Sequence, residues 1–138
     1  MHIIMAKCQY KVILKLLKGV ESFKKGEYMI KKNKFADNTV FNFADVVKIE
    51  EGKSTKNLFF ISDKVTAGFL IFDKDTVIAG HKAEAKALVQ DILGDVLITI
   101  EGKEFTLHQG EAIVIKENMM HELKGLTRAK VFVTILND

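Results

Sequence analysis

Hydrophobic residues recur along this chain with two different periods. In residues 9–25, Val12, Ile13, Leu16, Leu17, Val20 and Phe23 follow one another at the spacing of one helix face. Lys11, Lys15 and Lys18 lie off that stripe, and Gly26 supplies a stop. After Met29 the period becomes two. The runs "NLFFISD", "TAGFLIFDKD", "TVIAGHK", "KALVQDIL", "DVLITIEG", "KEFTLHQG", "EAIVIKEN", "HELKG" and "KVFVTIL" are short and rich in Val, Ile, Phe and Thr. Gly, Asp, Asn or Lys turns bound them, as strands require. Gly102, inside "IEGKEFTL", marks a hairpin turn. "VFNFADVVKIEE" reads as a short lead-in. The pattern predicts an all-β barrel or sandwich preceded by an N-terminal amphipathic α-helical extension.

Composition narrows the class. The chain has 138 residues, 48% of them apolar and 28% charged, enough for one globular domain with a real core. A single cysteine, Cys8, cannot form an intramolecular disulfide, so nothing points to an oxidising compartment. No apolar run reaches the roughly 20 residues that span a bilayer. The start imitates a signal peptide, but Lys11 and Lys15 break its apolar stretch and no small-residue cleavage site follows. The expected localisation is cytoplasmic.

Charge is unevenly placed. Residues 1–28 carry six lysines against Glu21 and Glu27, while the rest is close to neutral. A neutral body argues against nucleic-acid binding by the main domain. We therefore divide the chain into a basic helical extension, 1–28, and a β domain, 29–138. Three readings of the extension stay open: a helix packed on the body or on a dimer partner, a membrane-surface helix, or a segment upstream of a true start at Met29. For the last, "KGEYM" can be encoded with a purine-rich AGGAG run just before the ATG.

Two motifs carry a family resemblance. "GEAIVIKENMMHELKG" resembles the second motif of the cupin superfamily, G-x-x-x-x-x-P-x-G-x-x-H-x-x-x-N, without a gap. Gly110 matches the first glycine and His121 the histidine, whereas Lys116, Asn118 and Gly125 stand at the proline, second glycine and asparagine. Asn tolerates the left-handed backbone that a turn glycine supplies. "DTVIAGHKAEAKALVQDILG" aligns with the first motif, G-x-x-x-x-x-H-x-H-x-x-x-E-x-x-x-x-x-x-G, ending at Gly94. His81 takes its first histidine, but Asp75, Ala83 and Ala87 replace the opening glycine, the second histidine and the glutamate. The "ALVQ" run is similar to that of small single-domain cupins of the RmlC-like type.

The resemblance implies a double-stranded β-helix, the cupin jelly-roll barrel, with the two motifs facing inward. In metal-binding cupins three histidines and a glutamate hold Fe, Mn, Ni or Zn, an imidazole and carboxylate set suited to divalent first-row metals. Here two of the four ligands remain, so the metal candidates are His81 and His121. Asp91, four residues beyond Ala87 and of the same strand parity, reads either as a substitute carboxylate or as a solvated strand end. Glu84 has the opposite parity from His81, and His108 reads as a surface residue. Met119 and Met120 read as pocket rim or as core filler. The implied function is binding of a small-molecule ligand in the barrel by His81, Gln90, Asp91, Met119 and His121. A metal-dependent oxygenase or isomerase with a reduced ligand set is the alternative, and a regulatory partner acting through the basic helix is a third class. By resemblance the protein is expected to be a homodimer. No GxSxG, P-loop or GxGxxG motif is present.

Overall fold

The structure, a computed structural model, describes residues 32–33, 35–82 and 84–136. The expected helix over 9–25 lies outside the described residues, as do His2, Cys8 and Ala83. Ten strands follow in order: β1 (Lys32–Asn33), β2 (Ser54–Ile61), β3 (Val65–Phe72), β4 (Val77–Lys82), β5 (Lys86–Leu93), β6 (Val96–Ile100), β7 (Lys103–Leu107), β8 (Ala112–Ile115), β9 (Met120–Gly125) and β10 (Ala129–Leu136). The nine strand-like runs of the sequence are β2 to β10. Two antiparallel sheets face each other, one ordered β1-β2-β3-β10-β5-β8 and the other β4-β9-β6-β7.

Alternation explains which side chains fill the space between the sheets. In β6, Val96, Ile98 and Ile100 are buried, while Leu97 and Thr99 are not. In β9, His121, Leu123 and Gly125 turn inward between more exposed neighbours. With Leu70, Phe72, Val89, Val131 and Val133 from the larger sheet they build one continuous core. β3 breaks the alternation, being buried at every position after Val65. Its outer side chains Ala67, Phe69 and Ile71 belong to a second apolar cluster on the other face of the sheet. A strand covered on both faces reads as a continuous apolar run.

What covers that outer face is the segment read from the sequence as a lead-in. Residues 35–49 cross the larger sheet and contribute Phe35, Phe43, Val46, Val47 and Ile49 to the second cluster. A short 3-10 turn, Phe43–Asp45, holds the middle of this strap, with the Asn42 carboxamide oxygen accepting from the Ala44 amide at 2.9 Å. The Phe43 ring lies 5.0 Å from Phe69 and 4.6 Å from Phe132. Beside it the buried Lys130 donates its ammonium to the Ala44 carbonyl.

The turns fit the motif alignment. The four positions that the motifs assign to glycine, Asp75, Gly94, Gly110 and Asn118, all have left-handed backbone, with φ of 64°, 78°, 90° and 64°. Asp and Asn are the non-glycine residues that best tolerate this region. Glu101 and Gly102 both have positive φ and join β6 to β7, as a type I′ hairpin requires. Gly125, standing where the second motif prefers asparagine, has a different cause: a Cβ there would come within 2.6 Å of the Phe72 Cβ. The end of β9 passes too close to β3 for any side chain.

Candidate functional site

His121 is the best-defined polar group inside the barrel. Its backbone pairs with Ile100 of β6 on one side and with His81 of β4 on the other. The register thus sets the two motif histidines directly opposite each other, next to an irregularity in β4 after Ile78. The His121 side chain is 6% exposed. Burial pushes its pKa below the ordinary histidine value, and the Met119 carbonyl opposes the shift. The Nδ1 atom lies 3.1 Å from that carbonyl. An Nδ1–H donor fits this contact and leaves the imidazole lone pair on Nε2. The side chain of His81 lies outside what the structure describes.

Ala87 sits at the same end of the barrel. It pairs with Ile115 at the end of β8, and only residues 116–119 separate Ile115 from the start of β9. Ala87 is 5% exposed and packs in the core with Ile100 and Ile115. Met119 packs against the same core, partly buried, whereas Met120 is exposed on the other parity. Of the two roles left open for the methionines, Met119 borders the His121 side and Met120 does not. Glu84, in the connection from β4 to β5, is half-buried, and its Oε2 is buried without a hydrogen-bond partner.

Two expected site residues are elsewhere. Gln90 is exposed on the outer face of β5 and pairs with Phe132 and Ala112. Its parity is opposite to that of Ala87, so it does not enter the barrel. Asp91 does point inward, but four residues beyond Ala87, about 13 Å along the strand at the usual rise. It belongs to the far end of the barrel, where its amide donates to the Glu111 carbonyl at 2.8 Å and its carbonyl accepts from the Gly110 amide at 2.9 Å. Nor is Asp91 a solvated strand end, for it is 2% exposed. Two signals in the chain point to this: Asp91 and Asp95 lie four apart, and "LHQGE" puts another acid and a histidine in the facing turn. His108 is exposed, as expected, with Nδ1 2.9 Å from the Asp95 carboxylate, whose hydrogen bond raises its pKa.

No protein-family model and no curated protein matches the sequence, but solved structures match the fold. A conserved protein of unknown function from Streptococcus pyogenes superposes with a TM-score of 0.73 at 19% identity, over 80% of this chain and 96% of that one. A cupin superfamily protein from Desulfitobacterium hafniense gives a TM-score of 0.73 at 16% identity, over 79% of this chain and 100% of that one. This chain has a cupin fold. A Cupin 2 conserved barrel domain protein from Leptotrichia buccalis is 28% identical with a TM-score of 0.67, over 70% of this chain and 47% of that one.

The full cupin metal-binding set of three histidines and a glutamate is not supplied by the described residues. Ala87 puts a methyl group in the core where the motif carries its carboxylate, and alanine also stands at position 83. Asp91, the one inward carboxylate of β5, is at the wrong end. Among the described residues no three His, Cys, Asp or Glu side chains converge so as to hold a metal ion. The described donors therefore do not fit a cupin metal centre, and no chemistry is routed through one. No helix among the described residues is long and apolar enough to cross a membrane.

Proposed function

We propose that this cupin-fold protein binds a small, mostly apolar molecule at the His121 end of the barrel and has no catalytic set of its own. One observation carries the reading: His121 is a buried, neutral imidazole on an apolar inner face, and the neighbouring carboxylate position is filled by Ala87. A neutral imidazole among Ile100, Ile115 and Met119 offers one oriented polar contact in apolar surroundings, the usual composition of a ligand pocket. His81, opposite His121 in the register, is the second polar group assigned to this site. We assign the protein to the cytoplasm and to a homodimeric state. The exposed Val114 of edge strand β8 supports the dimer, because an unpaired apolar edge favours self-association.

The test uses protein purified without a histidine tag. After dialysis, elemental analysis is expected to find well under one metal per chain. A screen of small apolar acids, alcohols and lactones followed by methyl NMR should shift Ile100, Ile115 and Leu123, and His121→Leu should abolish those shifts. Stoichiometric Fe, Mn, Ni or Zn lost on removing His121 would overturn the reading in favour of a metal-dependent enzyme, since a bound ion stabilises the fold by mass action.

A further inference from the structure

The far end of the barrel holds a second buried titratable group that the ligand reading does not use. Asp91 is 2% exposed, and neither carboxyl oxygen has a hydrogen-bond partner. Buried carboxylates are ordinarily paired or hydrogen-bonded, because an ionised group without partners in an apolar setting is strongly disfavoured. The groups facing Asp91 increase that cost. Asp95, in the β5–β6 turn, and Glu111, in the β7–β8 turn, both oppose its ionisation, and only His108 favours it from the side chains around it. His108 is itself engaged by Asp95 at 2.9 Å. The nearby cations are committed elsewhere: Arg128 pairs with Asp73 at 3.1 Å, and Lys130 reaches Ala44 on the outer face.

The backbone around Asp91 turns this local cost into a movable element. The β7–β8 turn is hung on Asp91 by two hydrogen bonds, Asp91 amide to Glu111 carbonyl and Gly110 amide to Asp91 carbonyl. Within the turn, the Glu111 amide donates to the His108 carbonyl, and the His108 amide donates to the Glu111 carboxylate. The strand itself is irregular here, since the pairing of β5 with β10 slips between Asp91 and Leu93. Breaking the two bonds to Asp91 would release the turn that lies against it.

We propose that Asp91 is a pH-sensitive trigger: the neutral acid keeps the β7–β8 turn closed, and its ionisation opens that turn and hydrates this end of the barrel. Burial, followed by the repulsion of Asp95, places the transition in the physiological range by pushing the Asp91 pKa up to about 7; the Leu93 amide, close by but short of hydrogen-bond geometry, opposes the shift. Loss of the His108 proton as pH rises removes the one side chain that favours Asp91 ionisation, so it holds the acid neutral to higher pH, and once Asp91 ionises it sits beside Asp95 and Glu111 without that cation. The device does not depend on what the His121 end binds.

Carboxyl-carbon NMR on the full-length protein tests this directly. The Asp91 resonance is expected to titrate near the value of about 7, far above the ordinary 3.8. In parallel, hydrogen-exchange protection of the Asp91 and Gly110 amides should fall about tenfold or more between about pH 5 and pH 8, and that of Ile98 should not. Asp91→Asn should remove the pH dependence at those two amides, and Asp95→Asn should lower the Asp91 midpoint. A wild-type Asp91 midpoint near 3.8, an unchanged midpoint in Asp95→Asn, or the same loss of protection in Asp91→Asn would each overturn the proposal.

Discussion

Replacing Phe43 by alanine tests whether the strap over the larger sheet is part of the folding unit. Phe43 is half-buried and is the residue that ties the strap to Phe69 and Phe132, at 5.0 and 4.6 Å. Truncating a fully buried phenylalanine costs about 3–5 kcal/mol. Half burial scales this to about 1.5–2.5 kcal/mol, and loss of two aromatic pairs at about 0.5 kcal/mol each, the low end of their range, brings the expectation to about 2.5–3.5 kcal/mol. For a chain of this size about 1 kcal/mol moves the melting temperature by roughly 3–4 °C, so a fall of about 8–14 °C is expected. Circular dichroism gives that number. Limited trypsin digestion gives a second one, because a loosened strap exposes Lys48 and Lys53 to faster cleavage. Phe41→Ala is the control: its ring stacks on Phe35 at 4.3 Å but is 46% exposed, so it should cost less than half as much. A Phe43→Ala melting temperature within about 2 °C of the wild type, with unchanged cleavage, would refute the packing argument.

Two further substitutions test the barrel. Gly125→Ala places a Cβ 2.6 Å from the Phe72 Cβ and 3.0 Å from the Thr127 carbonyl, so it should cost about 1–3 kcal/mol in urea unfolding; a neutral result would mean that β9 and β3 are not in contact there. Asp91→Asn should change how stability depends on pH. The Asp91 pKa is raised from 3.8 to about 7 in the folded state, so the folded protein holds a proton that the unfolded chain has released, and wild-type stability falls as pH rises from about 4 to 7. At 1.36 kcal/mol per unit the loss is at most about 4 kcal/mol. The asparagine variant, uncharged throughout, should match the wild type near pH 4 and exceed it above pH 7; equal stabilities above pH 7 would contradict the raised pKa.

Strand positions were legible because turn chemistry and alternation report local geometry. All nine runs became strands, and the substitutions at motif glycines, Asp75 and Asn118, were the two that a left-handed turn tolerates. Two features were not legible. The strap has neither period, because each of its apolar residues fills a gap in the outer face of a sheet assembled from distant strands. Its partners Phe69 and Phe132 are more than twenty residues away in sequence. Depth along the barrel was the other: parity assigned Asp91 correctly to the inner face, but parity has no information about which end of the strand lies beside His121. Gln90 was misplaced for the simpler reason that its parity is opposite to that of Asp91.

The two inward titratable groups obey one rule. His121 loses its proton more easily than a free histidine because burial disfavours the cation, and Asp91 holds its proton more tightly than a free aspartate because burial disfavours the anion. Burial thus biases both toward their uncharged forms, and the buried Lys130 is turned to the outer face and answered by the Ala44 carbonyl. A barrel interior built this way is arranged for uncharged contents. An ionised inward carboxylate beside His121 would favour a divalent ion, and the residue standing there is Ala87. Restoring that carboxylate by Ala87→Glu would place a charge in the same apolar surroundings that keep Asp91 protonated. Such a variant should therefore lose stability without metal and recover it when Zn or Mn is added. Recovery without metal would show that the His121 end already contains water enough to solvate a charge, and the argument for an apolar ligand would fail with it.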